Sequence, residues 1–128
     1  DAKSRQKISF VTKSNIMVSF EQLQEKCLSF PEATEEPHFE KTSFRVRKKI
    51  FVTYAVKDQK ACLKLSLADQ STFSSMSKKS VYAVPNKWGA QGWTFFELQH
   101  VAFELLEDAL KCAYKEVAPK SLVTLILE

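Results

Sequence analysis

Thr42-Ser43-Phe44-Arg45-Val46-Arg47-Lys48-Lys49-Ile50-Phe51-Val52-Thr53-Tyr54-Ala55-Val56-Lys57-Asp58-Gln59-Lys60-Ala61-Cys62-Leu63-Lys64-Leu65-Ser66-Leu67 reads as three consecutive β-strands. Ser43 to Arg47 alternates polar and apolar, Ile50 to Val56 is β-branched and aromatic, and Ala61 to Leu67 returns to strict alternation. The turns fall at Lys48-Lys49 and Lys57-Asp58-Gln59-Lys60. An antiparallel meander of this kind buries one face and needs a helical layer to cover it.

The flanking sequence supplies that layer. Ser19-Phe20-Glu21-Gln22 fits a capping box, Phe20, Leu23, Cys27 and Phe30 recur at helical spacing, and Pro31 stops the helix. Residues 31–41 read as an acidic, proline-punctuated loop. Beyond the meander, Ala68 to Met76 predicts a short helix with Asp69 as N-cap and Phe73 and Met76 facing inward. Val81–Val84 and Trp93–Leu98 predict two more strands, joined by Asn86-Lys87-Trp88-Gly89-Ala90-Gln91-Gly92. His100 to Val117 is the strongest helical pattern, ended by Pro119.

The expected fold is therefore α+β, in two layers and in the order α-β-β-β-α-β-β-α, with the helices on one face of an antiparallel sheet. Residues 1–16 have weak periodicity and are expected to form a leader outside a single domain of residues 17–122, which is followed by an apolar tail at 123–128.

Composition narrows the function classes. Two glycines are too few for a dinucleotide fingerprint or a phosphate-binding P-loop, both of which need backbone to approach phosphate closely. The three cysteines are widely spaced within predicted elements, which is the pattern of reduced thiols in a cytosolic protein, so a cytoplasmic location is expected. No apolar run reaches the ~18 residues a membrane span requires, and no membrane partner is expected. The formal charge is +4 overall, yet residues 41–64 carry eight Lys and Arg against one Asp, a local balance of +7. The basicity belongs to the sheet, and the helices are acidic.

These residues resemble the MmcQ/YjbR-like family. The similarity rests on Leu28-Ser29-Phe30-Pro31-Glu32-Ala33-Thr34-Glu35-Glu36, Lys49-Ile50-Phe51, Leu63-Lys64-Leu65-Ser66, Val84-Pro85-Asn86-Lys87-Trp88-Gly89, Gly92-Trp93-Thr94-Phe95 and Ala113-Tyr114-Lys115-Glu116-Val117-Ala118-Pro119-Lys120. The resemblance implies a two-layer fold like that of secretion chaperones and frataxin-like proteins. It also implies a DNA-binding role through a double wing of hairpins. Ala113 stands where the family pattern has a serine.

Strand alternation places Arg45, Arg47 and Lys64 on the face opposite the leucines, with Lys48 and Lys49 at its rim and Lys87 and Trp88 projecting from the glycine-bracketed loop. Cations interleaved with an aromatic ring can neutralise phosphates and stack a base, so these seven residues form the candidate nucleic-acid site. Trp93, inside a strand, is expected in the core. His38 and His100 have no nucleophile or metal partner at a recognisable spacing. The acidic set Glu35, Glu36, His38 and Glu40 reads as a solvated loop, and no cofactor or metal is expected. The expectation is a non-catalytic domain, monomeric or homodimeric, that binds nucleic acid. The alternative is a protein- or peptide-interaction module using the open sheet face or an edge.

Overall fold

The computed structural model describes residues 18–127; the leader expected over 1–16, Met17 and Glu128 lie outside the described residues. Eleven elements follow in chain order: α1 (Phe20–Leu28), β1 (Ala33–His38), β2 (Lys41–Val46), β3 (Lys49–Ala55), β4 (Lys60–Lys64), α2 (Leu67–Met76), β5 (Val81–Ala83), α3 (Lys87–Ala90), β6 (Trp93–Glu97), α4 (Phe103–Val117) and α5 (Lys120–Val123). The strands form one six-stranded antiparallel sheet in the order β1-β2-β3-β4-β6-β5. The α+β class and the element order read from the sequence hold, with one strand more and two further short helices, α3 and α5.

That strand is β1, which occupies most of the span expected to be a loop. It pairs with β2 from Ala33↔Val46 to His38↔Lys41 and is an edge of the sheet. Pro37 and the glutamates on it suit an edge, because a missing N–H and like charges discourage further strand pairing.

The helices cover one face. Ser19 caps α1 as a capping box: its Oγ accepts from the Gln22 N–H at 3.1 Å, and Gln22 Oε1 accepts from the Ser19 N–H at 2.9 Å. Phe20 of α1 lies against Tyr54 (5.0 Å between ring centres), Phe73 of α2 against Phe96 (6.3 Å), and Tyr114 of α4 against Phe51 (5.7 Å). Leu106, Ala109, Leu110, Ala113 and Tyr114 give α4 a wholly buried stripe, each large side chain contributing about 1.5–3 kcal/mol of transfer free energy. Ala113, the departure from the family pattern, is one of these core positions. Tyr114 keeps its hydroxyl satisfied by donating to the Pro31 carbonyl at 2.7 Å.

Several local expectations change. The N-cap of α2 is Ser66, whose Oγ accepts from the Asp69 N–H at 3.1 Å, and Asp69 lies within the helix. Met76 faces solvent because it sits in the last turn, beyond the reach of the core. The long helix α4 begins at Phe103, and His100 lies in the preceding turn. Leu122, the last residue of the expected domain, is buried; in the apolar tail Ile126 packs against the core, whereas Leu125 and Leu127 are exposed. No helix among the described residues is long and apolar enough to cross a membrane.

Candidate functional site

Antiparallel register decides which predicted site residues meet. The closing pair of the β2–β3 hairpin is Val46↔Lys49, the last pair of β4 with β6 is Lys64↔Trp93, and Ala83 of β5 lies opposite Thr94. Arg47, Lys48, Lys49, Lys64, Lys87 and Trp88 therefore gather at one end of the sheet. Arg45 lies one step inward on β2. Two projections flank that end, the β2–β3 turn and the β5–α3–β6 connection, separated by about three strand spacings, or ~15 Å.

The first projection is tighter than its sequence indicates. The turn residues are Arg47 and Lys48, with φ of +50° and +73°, and Lys49 is the first residue of β3. Two successive left-handed residues are the mark of a type I′ hairpin, a place normally filled by Asn-Gly. Arg47 thus leaves the plane of the sheet face, where alternation had placed it beside Arg45. Its guanidinium forms a bidentate pair with Glu32, Nε to Oε1 at 2.9 Å and Nη2 to Oε2 at 3.1 Å.

The second projection is shaped by its glycines. A Cβ on Gly89 would lie 1.8 Å from the Val84 carbonyl oxygen. Gly92 has φ +107°, and a Cβ there would meet the Leu65 carbonyl oxygen at 1.9 Å. Asn86 Oδ1 accepts from the Trp88 N–H at 2.8 Å and starts the short turn α3. Gln70 of α2 pins the loop from beneath, its Nε2 donating to Gly89 O at 3.0 Å, Thr94 Oγ1 at 3.1 Å and Trp93 O at 3.2 Å. Trp88 is left 50% exposed, with the Lys87 ammonium 5.7 Å from its ring centre.

The remaining cations differ in their partners. Arg45 donates from Nε to Ser43 Oγ at 2.9 Å and lies 3.9 Å from Glu36. The Lys64 ammonium is 3.8 Å from Glu116. No carboxylate among the described residues pairs with Lys48, Lys49 or Lys87. The lysines available to an anion lie at the rim, and the face itself is electrically balanced.

That face carries residues the sequence reading missed. Trp93 is half-buried on the open side of β6 and does not enter the core. Phe95 and Tyr82 share its face, paired across strands at 5.8 Å between ring centres. Lys60 lies over both, 5.1 Å from the Phe95 centre and 5.5 Å from that of Tyr82, and the Tyr82 side chain, with Glu97 near, raises its pKa. Tyr82 in turn donates its hydroxyl to Glu97. The signal was the alternation of Trp93, Phe95 and Glu97 against Thr94 and Phe96, in which Thr94, bonded to Gly92 and Gln70, is buried together with Phe96. Glu35 and Glu36 point to opposite sides of β1. Glu35 accepts from Gln24 and Glu36 pairs with Arg45, so the acidic stretch does not converge.

An antiparallel sheet backed by helices on one face and flanked at one end by two projecting turns defines a two-layer α+β class of domain. The model of the YjbR family matches residues 28–116, and the chain belongs to that family. A solved structure of similar fold is the crystal structure of the Deinococcus radiodurans protein DR2400, with a DUF419 domain: 20% identity, 82% of each chain covered, TM-score 0.70. No curated protein matches the chain.

Proposed function

We propose that this protein is a non-catalytic binding domain that holds nucleic acid at the end of its sheet, between the β2–β3 turn and the β5–α3–β6 connection. The observation that carries the reading is the register that collects Lys48, Lys49, Lys64, Lys87 and an exposed Trp88 at that one end. Ammonium groups spaced across it can neutralise successive phosphates and release their counterions, while projecting turns on a rigid sheet present them to a large ligand. The left-handed Arg47 and Lys48 support the reading, since the strain of non-glycine residues at such positions tends to be kept where the side chains act.

The test is anisotropy of a labelled oligonucleotide against salt. Log affinity should fall linearly with log salt, with a slope near about −0.9 per phosphate for a duplex or −0.7 for a single strand, and Lys48→Glu with Lys87→Glu should flatten it by about one each. Salt-indifferent binding, or none at low salt, removes the proposal.

A second reading, a protein-interaction module, draws on the opposite end of the sheet. There Phe39 is 94% exposed in the β1–β2 turn and Val56 67% exposed in the β3–β4 turn. Edge pairing is the weaker route for it, because β1 carries Pro37 and β5 has three residues. Sedimentation equilibrium of the protein and of Phe39→Ser tests self-association through this end: an unchanged monomer in both sinks that form of it.

A further inference from the structure

We infer that the open face of β4, β6 and β5 stacks the unpaired bases of a single-stranded nucleic acid, an inference that rests on the nucleic-acid reading above and names its ligand class. Trp93 and Phe95 stand on that face two residues apart in β6, with Tyr82 beside Phe95 on the neighbouring strand. Side chains at i and i+2 of a strand are about 7 Å apart. Nucleotides within one strand of a duplex rise only about 3.4 Å. The spacing therefore suits one splayed base per ring, and a duplex, whose base faces are already stacked, has nothing to offer these rings. The three strands span about 10 Å across, wide enough for one strand lying on a sheet. Sheet-borne aromatics stacking two or three bases are an established mode of single-strand recognition.

The charges match. In register with these rings lie Lys64 opposite Trp93 and Lys60 opposite Glu97, with Cys62 between them opposite Phe95. Lys60 rests over Phe95 and Tyr82, which places an ammonium at the edge of the stacking surface, where a backbone phosphate can draw it aside as a base takes its place on the ring. From Trp93 the strand continues to the sheet end and reaches Lys48, Lys49 and Lys87. The rings fix the bases, and the rim lysines fix the phosphates.

The chain has two tryptophans, so Trp88→Phe leaves Trp93 as the sole indole reporter. This variant is titrated with a short labelled oligothymidylate and, separately, with a blunt duplex of the same length at low salt, reading oligonucleotide anisotropy and Trp93 emission together. The expected result is tighter single-strand than duplex binding, with Trp93 quenched in step with the anisotropy. Phe95→Leu, checked for folding by circular dichroism, should weaken single-strand binding about 5- to 150-fold, the range for loss of one stacked base. Single-strand binding that leaves Trp93 emission unchanged, or a duplex held as tightly, overturns the stacking inference while the nucleic-acid reading stands. Binding of neither probe by the native protein, with Trp88 in place, removes both.

Discussion

Glu32 and Arg47 close the end of the β1–β2 hairpin with two parallel hydrogen bonds, 2.9 and 3.1 Å, and both residues hold a left-handed backbone, φ +60° and +50°. The hydrogen bonds from Arg47 keep the Glu32 carboxyl below the usual glutamate range. A carboxyl lowered in the folded state adds stability above its unfolded pKa and loses it as pH falls through the folded value. The pair also occupies the Arg47 guanidinium at the proposed site end. Glu32→Gln is expected to free Arg47 and raise oligonucleotide affinity a few-fold, read by anisotropy. In the native protein, carbon-detected NMR should show Glu32 titrating below the ordinary glutamate range. A midpoint within that range would mean the pair is not formed in solution.

Trp88 and Phe96 are both aromatic, yet their substitutions should differ in kind. Trp88 is 50% exposed and Phe96 fully buried. Urea unfolding of Trp88→Ala is expected to show a loss under about 0.5 kcal/mol, against roughly 3–5 for Phe96→Ala. Lys87→Ala with Trp88→Ala should weaken nucleic-acid binding while leaving the unfolding midpoint almost unmoved. A loss of several kcal/mol from Trp88→Ala alone would make that ring structural and remove it from the site.

Gly92 tolerates no side chain. Its φ of +107° and the Leu65 carbonyl oxygen 1.9 Å from any added Cβ combine backbone strain with a clash against main chain. Gly92→Ala is expected to cost about 2–5 kcal/mol in denaturant unfolding. A variant as stable as the parent would show that the β4–β6 junction can move aside.

The buried cysteines contribute to the alkaline limb of stability. Burial pushes the Cys62 thiol from 9.0 up to about 11, and Cys27 further, so both stay protonated in the folded protein while unfolded thiols ionise. A group whose folded pKa is raised stabilises fully below its unfolded value and loses that contribution as pH climbs through the folded one. Thermal unfolding temperature should therefore fall between pH 9 and about 11. Replacing Cys27 and Cys62 by alanine should flatten this decline, even though the variant starts from a lower plateau.

The three-strand meander and the capped first helix were legible because strict alternation and a capping box are local signals. Strand β1 was not, since Thr34-Glu35-Glu36-Pro37 has no buried face of its own and exists as a strand only by pairing with β2. The site was legible in its residue types and partly in its geometry. Lys48, Lys49, Lys87 and Trp88 gather with Lys64 as a site must, but Lys64 is engaged by Glu116, and Arg45 and Arg47 by Glu36 and Glu32, carboxylates brought near by that unread strand. Trp93 was hidden by the expectation that a tryptophan inside a strand belongs in the core, and Phe95 shares its face. Burying Thr94, satisfied by Gln70 from a helix far along the chain, is what turns them outward.

β5 precedes β6 in the chain but, among the described residues, pairs with β6 alone, with β4 on the far side of β6. During synthesis from the N-terminus, β1 to β4 can pair as each emerges, but β5 must wait for Trp93–Glu97 to be made and inserted. The aromatic face is completed by that same late event, because Phe95 and Trp93 arrive on β6 and Tyr82 is docked by it. A ribosome-bound fragment ending before Trp93 would thus hold β1 to β4 with the β4 edge still open and without α4 to cover their buried face.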